Sequence, residues 1–240
     1  MQIKISKNYE ELCKEVAHFI VDEIKEISSP LLCLAGGDTP IGVYKSFIEL
    51  SQSSKADFNK AEFIGLDEWV GLDGSDSGSC RFTLDESLYR PLNIKKSKIH
   101  FFDGKAPDLL GQCEEANQFL KNNGSMDLAL LGIGMNGHVG FNEPGSSLDS
   151  VCRIVSLDET TQTVGQKYFE TEKKLNQGIT LGLKQILETR IVVLMASGEK
   201  KRPIIKELLA IKEFNPSFPV SSLWQHPNCY LFFDKTVTSD

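Results

Sequence analysis

The sequence predicts the α/β class: a doubly wound, mostly parallel open sheet with helices on both faces. Two observations predict it. A continuous apolar run at 31–35 and predominantly apolar runs at 61–66, 126–131 and 190–196 have the composition of buried strands, as parallel sheets require. Between them lie longer stretches whose apolar residues recur every three or four positions, the spacing of a helix with one buried side. With 240 residues, 40% of them hydrophobic, the chain can bury a large core, and residues 1–240 are expected to form a single domain.

Residues 1–5 alternate as a strand does. In 9–27, Leu12, Val16, Phe19, Ile20 and Ile24 mark a core-facing helix, which Ser28-Ser29-Pro30 ends. The run 31–35 leads into Gly36-Gly37-Asp38-Thr39-Pro40 and then a helix marked by Val43, Tyr44, Phe47 and Ile48. Strand, Gly-Gly turn and helix start make an anion site, because N–H groups point outward and the macrodipole adds about half a positive charge there. Taken alone, the turn could equally do no more than let strand meet helix. Pro40 suits the first helical position, with Thr39 as the cap. Neither a Walker loop nor G-x-G-x-x-G occurs, so nucleotide binding has no support.

The run 61–66 ends in Asp67-Glu68-Trp69. Neighbouring side chains of an extended chain point opposite ways, so at most one of these carboxylates is expected to face the crevice. Residues 73–80, rich in Gly, Ser and Asp, form a surface loop that can serve as a lid. Weak helical periodicity follows over 81–89, then a lysine-bearing connector over 91–102. An amphipathic helix over 106–123 delivers the chain to the strand 126–131.

That strand opens into a glycine-rich stretch whose polar side chains are Asn136, His138, Asn142 and Glu143. Only His138 and Glu143 can move protons, and Glu143 lies near enough in sequence to orient the imidazole; a solvated loop histidine is the plain alternative. Residues 160–169 carry Lys167. The run 190–196 ends in Ser197-Gly198-Glu199-Lys200, a second junction of strand, glycine and helix, from which Lys200 can reach back over the crevice. The final strand is 229–233. Together these elements make a Rossmann-like three-layer sandwich.

The net charge of −7 argues against a nucleic-acid or anionic-membrane surface, both of which call for a basic patch. Six scattered cysteines with no C-x-x-C, and no histidine at ligand spacing, read as reduced thiols without a metal. No apolar stretch approaches the roughly 20 residues of a membrane span, and no signal-peptide pattern is visible. The expectation is a soluble, cytoplasmic protein.

Three motifs, Gly-Gly-Asp-Thr-Pro (36–40), Leu-Asp-Glu-Trp-Val-Gly-Leu (66–72) and Leu-Gly-Ile-Gly-Met-Asn-Gly-His-Val-Gly-Phe-Asn-Glu-Pro-Gly (131–145), resemble in order and spacing the glucosamine-6-phosphate deaminase/isomerase family. The resemblance spans nearly the whole chain. It implies that Asp67 is the base that enolises the sugar and that His138 with Glu143 opens the pyranose ring, Asn136 standing beside them. It places Gly36, Gly37, Asp38, Thr39, Glu68, Lys167 and Lys200 around the substrate, with the loop and the two lysines on its 6-phosphate. The implied partner is a small hexosamine 6-phosphate, with a homo-oligomer left open. No metal or redox cofactor is required, because a positioned acid–base pair and an oriented substrate can supply the rate.

Three positions depart from the family pattern. Asn136 stands where many members have Asp, which leaves the carboxylate support of His138 to Glu143 alone. Asp38 stands where Ser, Gly or Ala is common and would repel phosphate unless it turns outward as a helix cap. Lys167 stands where the glucosamine enzymes usually have Arg, which keeps the charge and loses the bidentate fork.

Two other functions compete. The 6-phosphogluconolactonases share the Asp-Glu-Trp and Gly-His signals, but they usually carry an acidic residue before Gly-His and Ser-Leu-Phe-Pro after it, where this chain has Phe141-Asn142-Glu143-Pro144. A non-catalytic sugar-phosphate sensor could lose Asp67 or His138 and would normally carry a DNA-binding segment. Trp69, where the glucosamine enzymes usually have Tyr, and, outside the three motifs, Cys80, residues 178–187 and residues 222–226 are more similar to the galactosamine-6-phosphate isomerases. An indole only donates where a phenol also accepts, which changes how a C4 hydroxyl is held. The expected reaction is therefore galactosamine-6-phosphate to tagatose-6-phosphate and ammonia, with glucosamine-6-phosphate to fructose-6-phosphate and ammonia as the alternative.

Overall fold

The strands of the computed structural model, which describes residues 1–238, are β1 (Gln2–Ser6), β2 (Leu31–Leu34), β3 (Glu62–Gly65), β4 (Asp67–Trp69), β5 (Ile99–His100), β6 (Leu128–Leu131), β7 (Arg153–Ser156), β8 (Gln177–Thr180), β9 (Ile191–Ala196) and β10 (Cys229–Asp234). The helices are α1 (Tyr9–Ile24), α2 (Ile41–Gln52), α3 (Cys80–Leu84), α4 (Leu109–Asn123), α5 (Glu159–Gly165), α6 (Leu183–Leu187) and α7 (Arg202–Ala210). Seven strands pair in parallel in the order β1-β10-β9-β6-β2-β3-β5. The expected doubly wound sheet is the observed one.

Alternation along each strand builds the two cores. Leu32 and Leu34 of β2 pack with Leu12, Val16 and Ile20 of α1 and Val43 and Phe47 of α2. Leu31 and Cys33 point the other way, into a core shared with Cys113 of α4 and Ile204, Ile205 and Leu208 of α7. Both faces are thus covered, which is why β2 and β6 read as unbroken apolar runs.

Two features were not legible as expected. The chain leaves the parallel sheet at Leu66, and β4 enters a separate three-stranded antiparallel sheet, β4-β8-β7, in which Asp67 stands opposite Thr180. Thr39 is not the cap of α2: Pro40 holds that position with no side-chain bond. The reason is Tyr9, whose hydroxyl donates to the Thr39 carbonyl at 2.9 Å and accepts the Gly42 N–H at 3.0 Å, doing from α1 what a cap would do. Strand order reverses between β2 and β6, the switch point at which open α/β sheets bind ligands beyond their carboxyl ends.

Candidate active site

A crevice opens at that switch point. Its walls are residues 35–40, which follow β2, residues 132–135 and His138, which follow β6, and Asp67 and Trp69 of β4; α5 and the turn carrying Lys167 and Tyr168 also line it, whereas Asn136 stands behind His138. Glycine is required where backbone must come close. A Cβ on Gly36 would lie 2.8 Å from the Cα and Cβ of Cys80, and one on Gly134 would lie 2.3 Å from the His138 ring.

Of the adjacent carboxylates, Asp67 faces the crevice and Glu68 does not. Asp67 is 9% exposed, and burial raises its pKa to about 6 against the opposing effects of the His138 charge and the Cys80 thiol hydrogen bond. Glu68, expected to touch substrate, is instead wholly buried and absent from the crevice lining. It accepts the N–H groups of Trp69, Cys80 and Arg81 at 2.9, 3.0 and 2.9 Å, so it secures the start of α3. Burial pushes its carboxyl up to about 8 despite those three bonds.

His138 is held from behind. Its Nδ1 lies 3.0 Å from Thr161 Oγ1 and 3.4 Å from Glu143 Oε2. Burial alone would raise the Glu143 pKa, but the close approach and charge of His138, the Thr161 hydroxyl and the hydrogen bond from Asn136 outweigh it and hold the carboxyl below its usual value. Asn136 donates to Glu143 Oε2 at 2.8 Å and accepts the His138 N–H at 3.2 Å. The departure from Asp at this position therefore does not leave Glu143 to work alone: an amide can donate to the carboxylate, where a second carboxylate would repel it.

At the other end, Lys167 pairs with Asp38 at 2.6 Å and lies over the Tyr168 ring at 4.7 Å. Asp38 is thus neither a helix cap nor an unpaired charge; it is held against a cation across the crevice. Lys200, expected to reach over the site, is exposed and outside the lining, and Lys201 lines the crevice instead. After Gly198 the chain turns as a 3-10 helix over Glu199–Lys201, so successive side chains point about 120° apart and the second lysine is the one turned inward. Lys201 Nζ donates to the Ile133 carbonyl. Burial, with the charge of Lys167 added, lowers its pKa to about 8.

Residues 6–231 match a family model described as glucosamine-6-phosphate isomerases/6-phosphogluconolactonase. The chain belongs to this family. A glucosamine-6-phosphate deaminase of Thermoanaerobacter pseudethanolicus is 34% identical over 240 residues, covering 100% of this chain and 94% of that one. One from Lachnoclostridium phytofermentans is 36% identical over 229 residues, covering 95% and 97%. A solved monomeric glucosamine-6-phosphate deaminase superposes with a TM-score of 0.95 at 33% identity, covering 99% and 98%. The 6-phosphogluconolactonase of Trypanosoma brucei, with a TM-score of 0.77 at 21% identity over 98% and 97%, shares the fold. The chain is an enzyme of the deaminating-isomerase branch.

Within this deaminase-isomerase frame, the motif reading missed Thr161, Tyr168 and Lys201. A signal for the first two exists: Thr161, Val164, Gly165 and Tyr168 recur at helical spacing and all line the crevice. For Lys201 the only signal was its adjacency to Lys200, which says that one of the pair turns inward without saying which.

Proposed function

We propose that this enzyme converts a hexosamine 6-phosphate into a ketose 6-phosphate and ammonia. The observation that carries the proposal is one crevice that holds a buried carboxyl with its pKa raised to about 6, an imidazole backed by an ionised carboxylate, and two lysines. In this reading Gly36, Gly37 and Thr39 offer backbone N–H groups to the 6-phosphate, and Lys167 and Lys201 supply the countercharge. Asp38 gives up part of its hold on Lys167 when phosphate arrives. His138 moves the proton that opens the pyranose ring, and ionised Glu143 stabilises the imidazolium while it carries that proton.

Asp67 then takes the C2 proton beside the freed carbonyl. The resulting enolamine is protonated at C1, which leaves an imine at C2. Water adds to that carbon, and the nitrogen departs as ammonia. A carboxyl near pKa 6 suits the task, because it is ionised at neutral pH and still basic enough to accept a carbon-bound proton.

For the C4 epimer, full-length similarity to proteins named glucosamine-6-phosphate deaminase supports glucosamine-6-phosphate, with fructose-6-phosphate as the product. This takes precedence over the galactosamine-6-phosphate expectation drawn from segments outside the motifs. The galactosamine reading keeps one specific observation in its favour: Trp69, a donor-only side chain, lines the crevice, with Phe141 packed 4.6 Å from its ring. A site built to bond one hydroxyl rejects an analogue that leaves its polar group unpaired. The test is kcat/KM for both sugars, read as ammonia release. We expect a preference for glucosamine-6-phosphate of about tenfold or more. The reverse ratio would assign galactosamine-6-phosphate and leave the reaction type intact.

A further inference from the structure

We propose that Thr161 is a positioning residue of the His138–Glu143 pair, its hydroxyl standing as a relay between imidazole and carboxylate and tying both to the helix that covers the crevice. This rests on the reading of His138 as the ring-opening group. The sequence pairs His138 with Glu143 directly, but the geometry inserts a third group. Nδ1 of His138 is 3.4 Å from Glu143 Oε2, longer than the roughly 2.7–2.9 Å of a charge-assisted N–H···O bond. The same nitrogen is 3.0 Å from Thr161 Oγ1.

Chemistry orders the bonds. Ionised Glu143 can only accept, and the Thr161 hydroxyl is one of the groups that hold its carboxyl below its usual value, so we assign the threonine O–H to the carboxylate. Its lone pairs are then free for the histidine, and the chain runs from Nδ1–H to Oγ1 and from Oγ1–H to Glu143. That arrangement selects one neutral tautomer, with the proton on Nδ1 and the lone pair on Nε2, the nitrogen that meets substrate. Asn136 at 2.8 Å and the Asp158 N–H at 3.4 Å hold the two oxygens of Glu143 from other sides, which limits the freedom of the carboxylate to turn towards the imidazole by itself.

Thr161 is 5% exposed and sits on α5. The same helix presents Thr160, Val164 and Gly165 to the crevice, and Asp158, whose N–H reaches Glu143, caps its first turn. Shifting α5 would therefore break the relay at two points, so cover over the substrate and alignment of the imidazole come together.

The test replaces the hydroxyl while keeping the shape. Thr161→Val is expected to lower kcat by at least about tenfold with KM within about threefold of wild type. In nitrogen-15 NMR the His138 ring should shift from the Nδ1–H tautomer towards a mixture, and Thr161→Ser should restore both rate and tautomer. Thr161→Ala serves as a second hydroxyl-free variant should the valine variant fold poorly. An unchanged kcat, or an unchanged tautomer in the hydroxyl-free variant, overturns the proposal. If wild type releases no ammonia, the functional reading fails, and the NMR arm still decides the relay.

Discussion

Asp67→Asn is expected to lower the kcat for ammonia release by about a thousandfold while substrate still binds, with KM within about threefold of wild type. The amide keeps the shape of the carboxylate and cannot accept the C2 proton. In the wild-type enzyme, kcat/KM should climb as pH rises through about 6, where Asp67 loses its proton. A variant that keeps more than a few per cent of turnover would remove Asp67 from the role of base.

The same substitution should stabilise the fold. Asp67 has a folded pKa of about 6 against an ordinary 3.8, so the folded protein holds its proton more tightly than the unfolded chain does. Its contribution is most favourable below the unfolded value and is lost as pH rises through about 6, which leaves a penalty at pH 7 of up to about 3 kcal/mol. Asparagine removes that penalty. Thermal melts at pH 7 should show the variant several degrees above wild type, at roughly 2–4 °C per kcal/mol for a chain of this size, the usual exchange of stability for a reactive buried group. Melts that coincide at pH 7 would mean that burial does not strain this carboxylate.

The second large effect belongs to Lys201. Lys201→Ala should raise KM by about tenfold or more and leave kcat nearly unchanged, because a remote phosphate contact contributes equally to the ground and transition states. Lys200→Ala, which alters an exposed side chain outside the crevice, should behave as wild type. The pH dependence has a definite sign. Lys201 loses its charge above about 8, so wild-type KM should rise as pH passes that value, and this rise should disappear in Lys201→Ala. An unchanged KM in Lys201→Ala would remove it from the phosphate site.

What was legible in the sequence follows from how far each signal reaches. Strands β2, β6 and β9 show as apolar runs because helices cover both their faces, and α1 shows because its buried positions recur at helical spacing. Strand β7 does not: Arg153–Ser156 is half-exposed with no alternation, and β5 is two residues long. The rule that adjacent strand residues face opposite ways separates Asp67 from Glu68 without naming the inward one. That choice is made by the departure of β4 from the parallel sheet at Leu66. For Asp38, the sequence shows a charge that repels phosphate, but its partner Lys167 lies far along the chain and meets it only in the folded protein. Thr161 carries no chemical signal by itself, since its meaning is its distance to His138.

The most direct test of the account is to incubate the wild-type enzyme with glucosamine-6-phosphate and quantify ammonia and ketose 6-phosphate together. The account predicts one ammonia for each ketose 6-phosphate formed, and about a thousandfold slower formation of both when Asp67→Asn is used under the same conditions. Absence of ammonia from both glucosamine-6-phosphate and galactosamine-6-phosphate, with hydrolysis of 6-phosphogluconolactone in its place, would contradict it.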